Sequence, residues 1–164
     1  PFDLIVNTAV PADREQGPFP EMDLDGFQAT FNKLWGYLNT VHLGLPHFTA
    51  QASIVLVSGF PARKCKPGSS AISTVGHAVE GFVRAIAPEI APRRINIVSP
   101  GIIDTPLFPQ EGAEREEFFE RAVSDHAIPR PGRAEEVAQA ILFLLQNDFT
   151  TGTVVDVDGG ALLP

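Results

Sequence analysis

The chain alternates short apolar runs with stretches whose apolar residues recur every three or four positions. Phe2 to Val6 is a continuous apolar run apart from Asp3, the pattern of a strand covered on both faces. Phe27, Phe31, Leu34, Leu38 and Val41 keep helical spacing and predict one long amphipathic helix from Asp25 to about Leu45, with Asp25 as its cap. Ser53 to Val57 predicts a second buried strand, and Gly59 to Ser70 a loop. Ile72, Val75, Val79, Phe82 and Ile86 mark the next helix, ending before Pro92, and Ile95 to Val98 a third strand. Asp104 to Pro131 is a long excursion with one helix, Glu114 to Val123. Val137, Ile141, Leu144 and Leu145 mark a last helix, and Thr153 to Val157 a fourth strand closed by Asp158-Gly159-Gly160.

Strands that alternate with helices predict an α/β fold: a doubly wound parallel sheet, helices on both faces, right-handed crossovers. Ligands of such sheets bind beyond the carboxyl ends of the strands. That rule gathers Asn7 to Val10, Ser58 to Lys66 and Ser99 to Phe108 around one crevice. Four parallel strands make a thin sheet, and an apolar first strand at its edge needs cover from upstream strands or from another chain. The expected organisation is thus a single Rossmann-like domain over residues 1–164 that supplies the later strands of a larger fold.

Composition narrows the partners. Net charge is −8 and the isoelectric point about 4.9, which disfavours nucleic acid and anionic membrane. One cysteine, Cys65, excludes an internal disulfide and a cysteine-based zinc site, and His42, His47 and His126 lack metal-ligand spacing, so no metal is expected. With no membrane-spanning run and no signal peptide at the start, a cytoplasmic location is expected. Arg63, Lys64 and Lys66 form a basic loop, read either as solvated or as a lure for an anionic substrate.

Four segments, in order, resemble the short-chain dehydrogenase/reductase family: "DLIVNTAV", "RINIVSPGIIDTP", "PRPGRAEEVAQAILFLL" and "TGTVVDVDGG". The resemblance implies a dinucleotide-binding fold, NAD or NADP as cofactor, and carbonyl or alcohol redox chemistry on a small molecule. It also implies a homodimer or homotetramer formed through the Lys33 and Ile72 helices. The family's opening glycine-rich turn, which receives the cofactor pyrophosphate, has no counterpart in these residues. By the same resemblance Asn7, Ala9, Pro100, Gly101, Ile103 and Thr105 are cofactor-binding positions, and Val10 stands where glycine is usual.

The family's proton chemistry uses a tyrosine with a lysine four residues later on one helix face. Ungapped matching puts Ile72 and Gly76 at these positions, and neither transfers a proton. Tyr37, the only tyrosine, belongs to another helix. Gly59 falls where the family's serine is usual, one residue after Ser58, and Lys33 falls where its helix asparagine is usual. This combination is similar to an atypical branch of the family. Lys33 and Ser58 are therefore the candidate catalytic residues, with Lys33 read either as an acid in the crevice or as a snorkelling surface residue. His77 is expected to miss the crevice. The two functional readings are an atypical NAD(P)(H)-linked oxidoreductase and a catalytically inactive binding, sensing or assembly module.

Overall fold

The computed structural model describes all residues, Pro1–Pro164. Its four strands, β1 (Phe2–Asn7), β2 (Phe48–Val57), β3 (Arg94–Pro100) and β4 (Val154–Val157), form one parallel sheet in the order β1-β2-β3-β4. Five α-helices connect them: α1 (Leu24–Thr30), α2 (Asn32–Gly44), α3 (Ser70–Ile86), α4 (Gly112–Ala122) and α5 (Ala134–Gln146). No helix is long and apolar enough to cross a membrane.

The predicted long helix is two. Helix α1 ends at Thr30, whose hydroxyl donates to Gly26 O at 2.9 Å and accepts from Glu15 N at 2.9 Å. The Pro-rich loop is thereby tied to the end of α1, and the chain restarts as α2 after Phe31. The cap of α1 is Asp23, which accepts from Asp25 N, rather than Asp25. Strand β2 begins five residues earlier than its apolar run, at Phe48. The break and the early start of β2 come from contacts with segments distant in sequence, Glu15 and Phe2, which periodicity does not report.

Alternate residues of the strands build two cores. Ile54, Leu56, Ile95 and Ile97 pack under α2 and α3 with Tyr37, Val41, Val79 and Val83. Val55 and Val98, on the other face, pack under Leu144 of α5. The strands advance across the sheet in one direction while α5 lies on the opposite face from α2 and α3. The β3–β4 connection therefore has the opposite hand to the connections through α2 and α3, which corrects the expectation of uniformly right-handed crossovers. The long 101–133 segment, carrying α4, makes this reversal possible.

Strand β1 is the edge. Ile5 packs into the α2–α3 core, whereas Phe2, Leu4 and Val6 are 58%, 57% and 43% exposed, so cover on both faces is not found there.

The reversed connection is closed by Arg94. This largely buried guanidinium, at the start of β3, donates to Leu144 O and Leu145 O at 2.8 Å each and to Thr150 O at 3.3 Å. It thus satisfies carbonyls left open at the C-terminus of α5. Arg94→Met should destabilise the fold by about 2–4 kcal/mol in urea denaturation, with only partial recovery in Arg94→Lys, because the ammonium cannot reproduce the fork.

Candidate active site

At the carboxyl ends of β1, β2 and β3 lies a cavity of about 910 Å³. Lys33, Ser58, Ile72, Gly76, Pro100, Gly101, Ile103 and Thr105 all line it. Six of the eight candidate residues proposed from sequence, Lys33 and Ser58 with the four of the 100–105 segment, therefore meet at one place. Asn7 and Ala9 do not line it. Asn7 Nδ2 donates to Thr40 Oγ1 at 2.9 Å and Asn7 Oδ1 accepts from Ala9 N at 2.9 Å, so these residues hold the turn after β1, whose Thr8 and Val10 face the cavity.

Two side chains of α2 take the carbonyls at the end of β2. The Tyr37 hydroxyl donates to Val57 O at 2.7 Å and reaches Ala9 O at 3.2 Å. Burial pushes this phenol far above its ordinary pKa, so it stays protonated and structural. One turn earlier, Lys33 Nζ donates to Ser58 O at 3.2 Å and lies 5.7 Å from the Tyr37 ring centroid. Burial, aided by the nearby Arg14 cation, pulls the Lys33 pKa down to about 8. Lys33 is thus held in the cavity rather than snorkelling to solvent. The Ser58 hydroxyl is enclosed without a hydrogen-bond partner.

On the opposite wall Ile72 presents a hydrocarbon surface. Gly76 is buried for a different reason from the one its vacancy suggests. A Cβ at residue 76 would lie 2.7 Å from Ala62 Cβ and 3.0 Å from Ala62 Cα. The turn at Phe60–Ala62 packs directly on α3 there, and the space a longer side chain needs is filled by backbone.

The roof is arranged by Arg115 of α4, which the sequence reading missed. Its guanidinium donates to Phe108 O and Gln110 O (the latter at 3.0 Å), to Thr105 O at 3.0 Å, and pairs with Asp104. It also lies 4.8 Å from the Phe119 ring centroid. Phe108, Phe118 and Phe119 pack with centroids 5.1 to 5.6 Å apart beneath it. Its sequence signal is weak: one arginine set among Glu114, Glu116 and Glu117 in the first half of the helix. Arg14, also missed, lines the cavity from the β1–α1 loop.

The basic loop does not face this cavity as a lure. Arg63 pairs with Asp156 and with Glu80, and Lys64 with Asp125. His77 lines a separate depression with Cys65 and Lys66, its Nδ1 3.0 Å from Ser73 O. No three His, Cys, Asp or Glu side chains gather into a metal-binding cluster.

Gly76→Ala should lower stability by about 1–3 kcal/mol, because the added methyl must displace the Ala62 backbone. Gly76→Lys, with or without Ile72→Tyr, should fail to restore a tyrosine–lysine site. Thermal melting of both variants checks this; unchanged melting would mean that the 60–62 turn yields freely.

Residues 1–161 match the family described as enoyl-(acyl carrier protein) reductase. Among curated proteins, 3-oxoacyl-[acyl-carrier-protein] reductase of Thermotoga maritima is 34% identical over 170 residues, covering 99% of this chain and 67% of that protein. A short-chain dehydrogenase/reductase of Stachybotrys chlorohalonatus is 34% identical over 113 residues, covering 69% of this chain and 45% of that protein. This chain thus spans about half to two thirds of the length of such relatives. The structure of a small-chain dehydrogenase in complex with NADPH superposes with a TM-score of 0.90 at 32% identity, covering 99% of this chain and 75% of that one. The MalC reductase/Diels-Alderase of Malbranchea aurantiaca superposes with a TM-score of 0.88 at 29% identity, covering 99% of this chain and 63% of that one. Sequence and fold together place the chain in the short-chain dehydrogenase/reductase family.

Proposed function

We propose that the protein is an NADP(H)-linked carbonyl reductase in which Lys33 replaces the family's tyrosine as proton donor. The observation that carries this reading is the Lys33 ammonium, enclosed on the cavity at 3.2 Å from Ser58 O with its pKa lowered to about 8. A general acid works best with a pKa near the working pH, and this lysine has one.

Cofactor binding is supported by the NADPH complex of the structural relative and by the walls of the cavity. Pro100, Gly101, Ile103 and Thr105 would hold the nicotinamide end, above the turn that Asn7 and Ala9 shape. The unpartnered Ser58 hydroxyl fits a bound oxygen there. NADPH, where these residues hold it, would supply the hydride. Of the three N–H bonds of the Lys33 ammonium, one is held by Ser58 O and another is free to donate to a carbonyl oxygen in the cavity. As the carbonyl carbon gains hydride, its oxygen takes this proton, leaving a neutral amine that solvent reprotonates. The Ser58 hydroxyl steadies the developing charge. Ile72 and the phenylalanines of the roof exclude water from the reacting face.

The second reading, a non-catalytic dinucleotide-binding module, is favoured by one feature: both family proton-transfer positions are occupied by groups that cannot carry a proton, Ile72 and Gly76. Trp35 stands on the outer side of α2, 58% exposed and away from the cavity lining, so NADPH fluorescence or calorimetry is the suitable binding readout. In the same proposal, the outer faces of α2 and α3 form a homodimer or homotetramer contact, with the exposed Trp35 and Leu43 as its apolar centre. Leu43→Asp should then sediment as a monomer; an unchanged assembly would remove α2 from the interface.

Lys33→Met should reduce carbonyl turnover by roughly 100-fold or more while NADPH affinity and melting temperature stay near wild type. Because the protonated lysine is the donor, kcat for reduction should be level below pH 8 and fall about tenfold per unit above it, with the reverse limb for alcohol oxidation. Turnover that survives in Lys33→Met rejects the lysine role. NADPH binding with no turnover across a panel of carbonyl compounds selects the binding module.

A further inference from the structure

The chain carries 20 acidic and 12 basic residues, yet the cavity is lined by two cations, Arg14 and Lys33, and by no aspartate or glutamate. A positive pocket in a molecule of net charge −8 concentrates anions locally against the field of the rest of the surface. Arg14 has no ion pair; Arg63, Arg84, Arg94, Arg115, Arg130 and Arg133 each face a carboxylate, and of the other two arginines without one, Arg93 donates to Thr49 O and Phe48 O and Arg121 is exposed at the end of α4. Its sequence neighbour Glu15 turns away, its Oε1 accepting from Asp23 N at 3.3 Å. Arg14 Nε is sealed from solvent without an acceptor. An enclosed guanidinium N–H left open costs free energy that a bound oxygen would recover.

We infer that Arg14 anchors a carboxylate subsite in the cavity, and that the substrate is a small keto acid whose carbonyl is turned toward Lys33. The identity of the carbonyl as the reacting group rests on the reductase reading above; the anion subsite does not. The planar guanidinium suits the two oxygens of a carboxylate, and Arg14 is near enough to Lys33 for their charges to be felt, which places acid anchor and proton donor within one small molecule of each other. Ile103, Leu107, Phe108 and Phe118 supply an apolar wall for the remainder of that molecule. Gln110, whose Oε1 is also enclosed without a partner on this cavity, offers a neutral amide to a hydroxyl or amide group of that molecule.

The test is calorimetric titration of benzoylacetate and its neutral ethyl ester into the protein with NADP+, where no hydride is available. The acid should bind roughly tenfold or more tightly than the ester. Arg14→Gln should abolish that preference, Arg14→Lys should keep part of it, and NADP+ affinity should be unchanged in both, with melting temperature reporting the fold. Equal binding of acid and ester, or a preference that persists in Arg14→Gln, overturns the subsite. Weakened NADP+ binding in Arg14→Gln with benzoylacetate unaffected also overturns it, by assigning the guanidinium to a cofactor phosphate. An Arg14-dependent preference in a protein that never turns over supports the subsite and rejects the reductase reading alone.

Discussion

The carbonyls at the carboxyl end of β2 must be satisfied where the strand leaves the sheet, and α2 does this with two side chains four residues apart. Tyr37 takes Val57 O and Lys33 takes Ser58 O. This pair of bonds sets the distance between α2 and the sheet and closes the floor of the cavity. The phenol is fully buried among aliphatic side chains and locked to two carbonyls, so its proton is unusable. The ammonium, one turn earlier on α2, lies on the cavity wall, where burial lowers its pKa. Two polar groups on one helix face thus differ in how deeply they are buried.

Above that floor, the walls are held by contacts of a different kind. Arg115 gathers the carbonyls of Thr105, Phe108 and Gln110, and this single guanidinium gives the roof a defined shape although the segment has little regular structure. Arg94 acts similarly at the other end of the sheet, fastening α5 to β3. Arg115 gathers irregular backbone and Arg94 the open carbonyls of a helix end, and in both places a planar fork of donors reaches several acceptors at once. Arg14 has the same chemistry with its acceptor missing, which is why it stands apart from the others.

Most elements were legible because periodicity reports burial, and burial follows the sheet. The runs at Ser53–Val57 and Ile95–Val98 and the positions of Val75 and Val79 lie where they were expected, whereas one turn on Val83, rather than the expected Phe82, is the fully buried residue. The break between α1 and α2 was not legible, since Phe27, Phe31 and Leu34 keep helical spacing across it and the cause is a hydrogen bond from Glu15 N. The hand of the last crossover was hidden as well: apolar patterns say that a helix is covered, not which face of the sheet covers it. At the site, the residues that a motif could place, such as Lys33 and Thr105, line the cavity. Arg14 and Arg115 were invisible because their roles exist only through partners, or absent partners, brought together by the fold.

The contact between Gly76 and Ala62 carries an evolutionary consequence. The Phe60–Ala62 turn lies on α3 across the space a side chain would need, so a lysine at residue 76 is not one replacement away. A lineage that reached this arrangement would need compensating changes in the turn before a longer residue on the helix could be tolerated, and each intermediate would be less stable than its parent. Such epistasis acts as a ratchet: once the glycine is covered, a longer side chain at residue 76 is reached only by way of the turn.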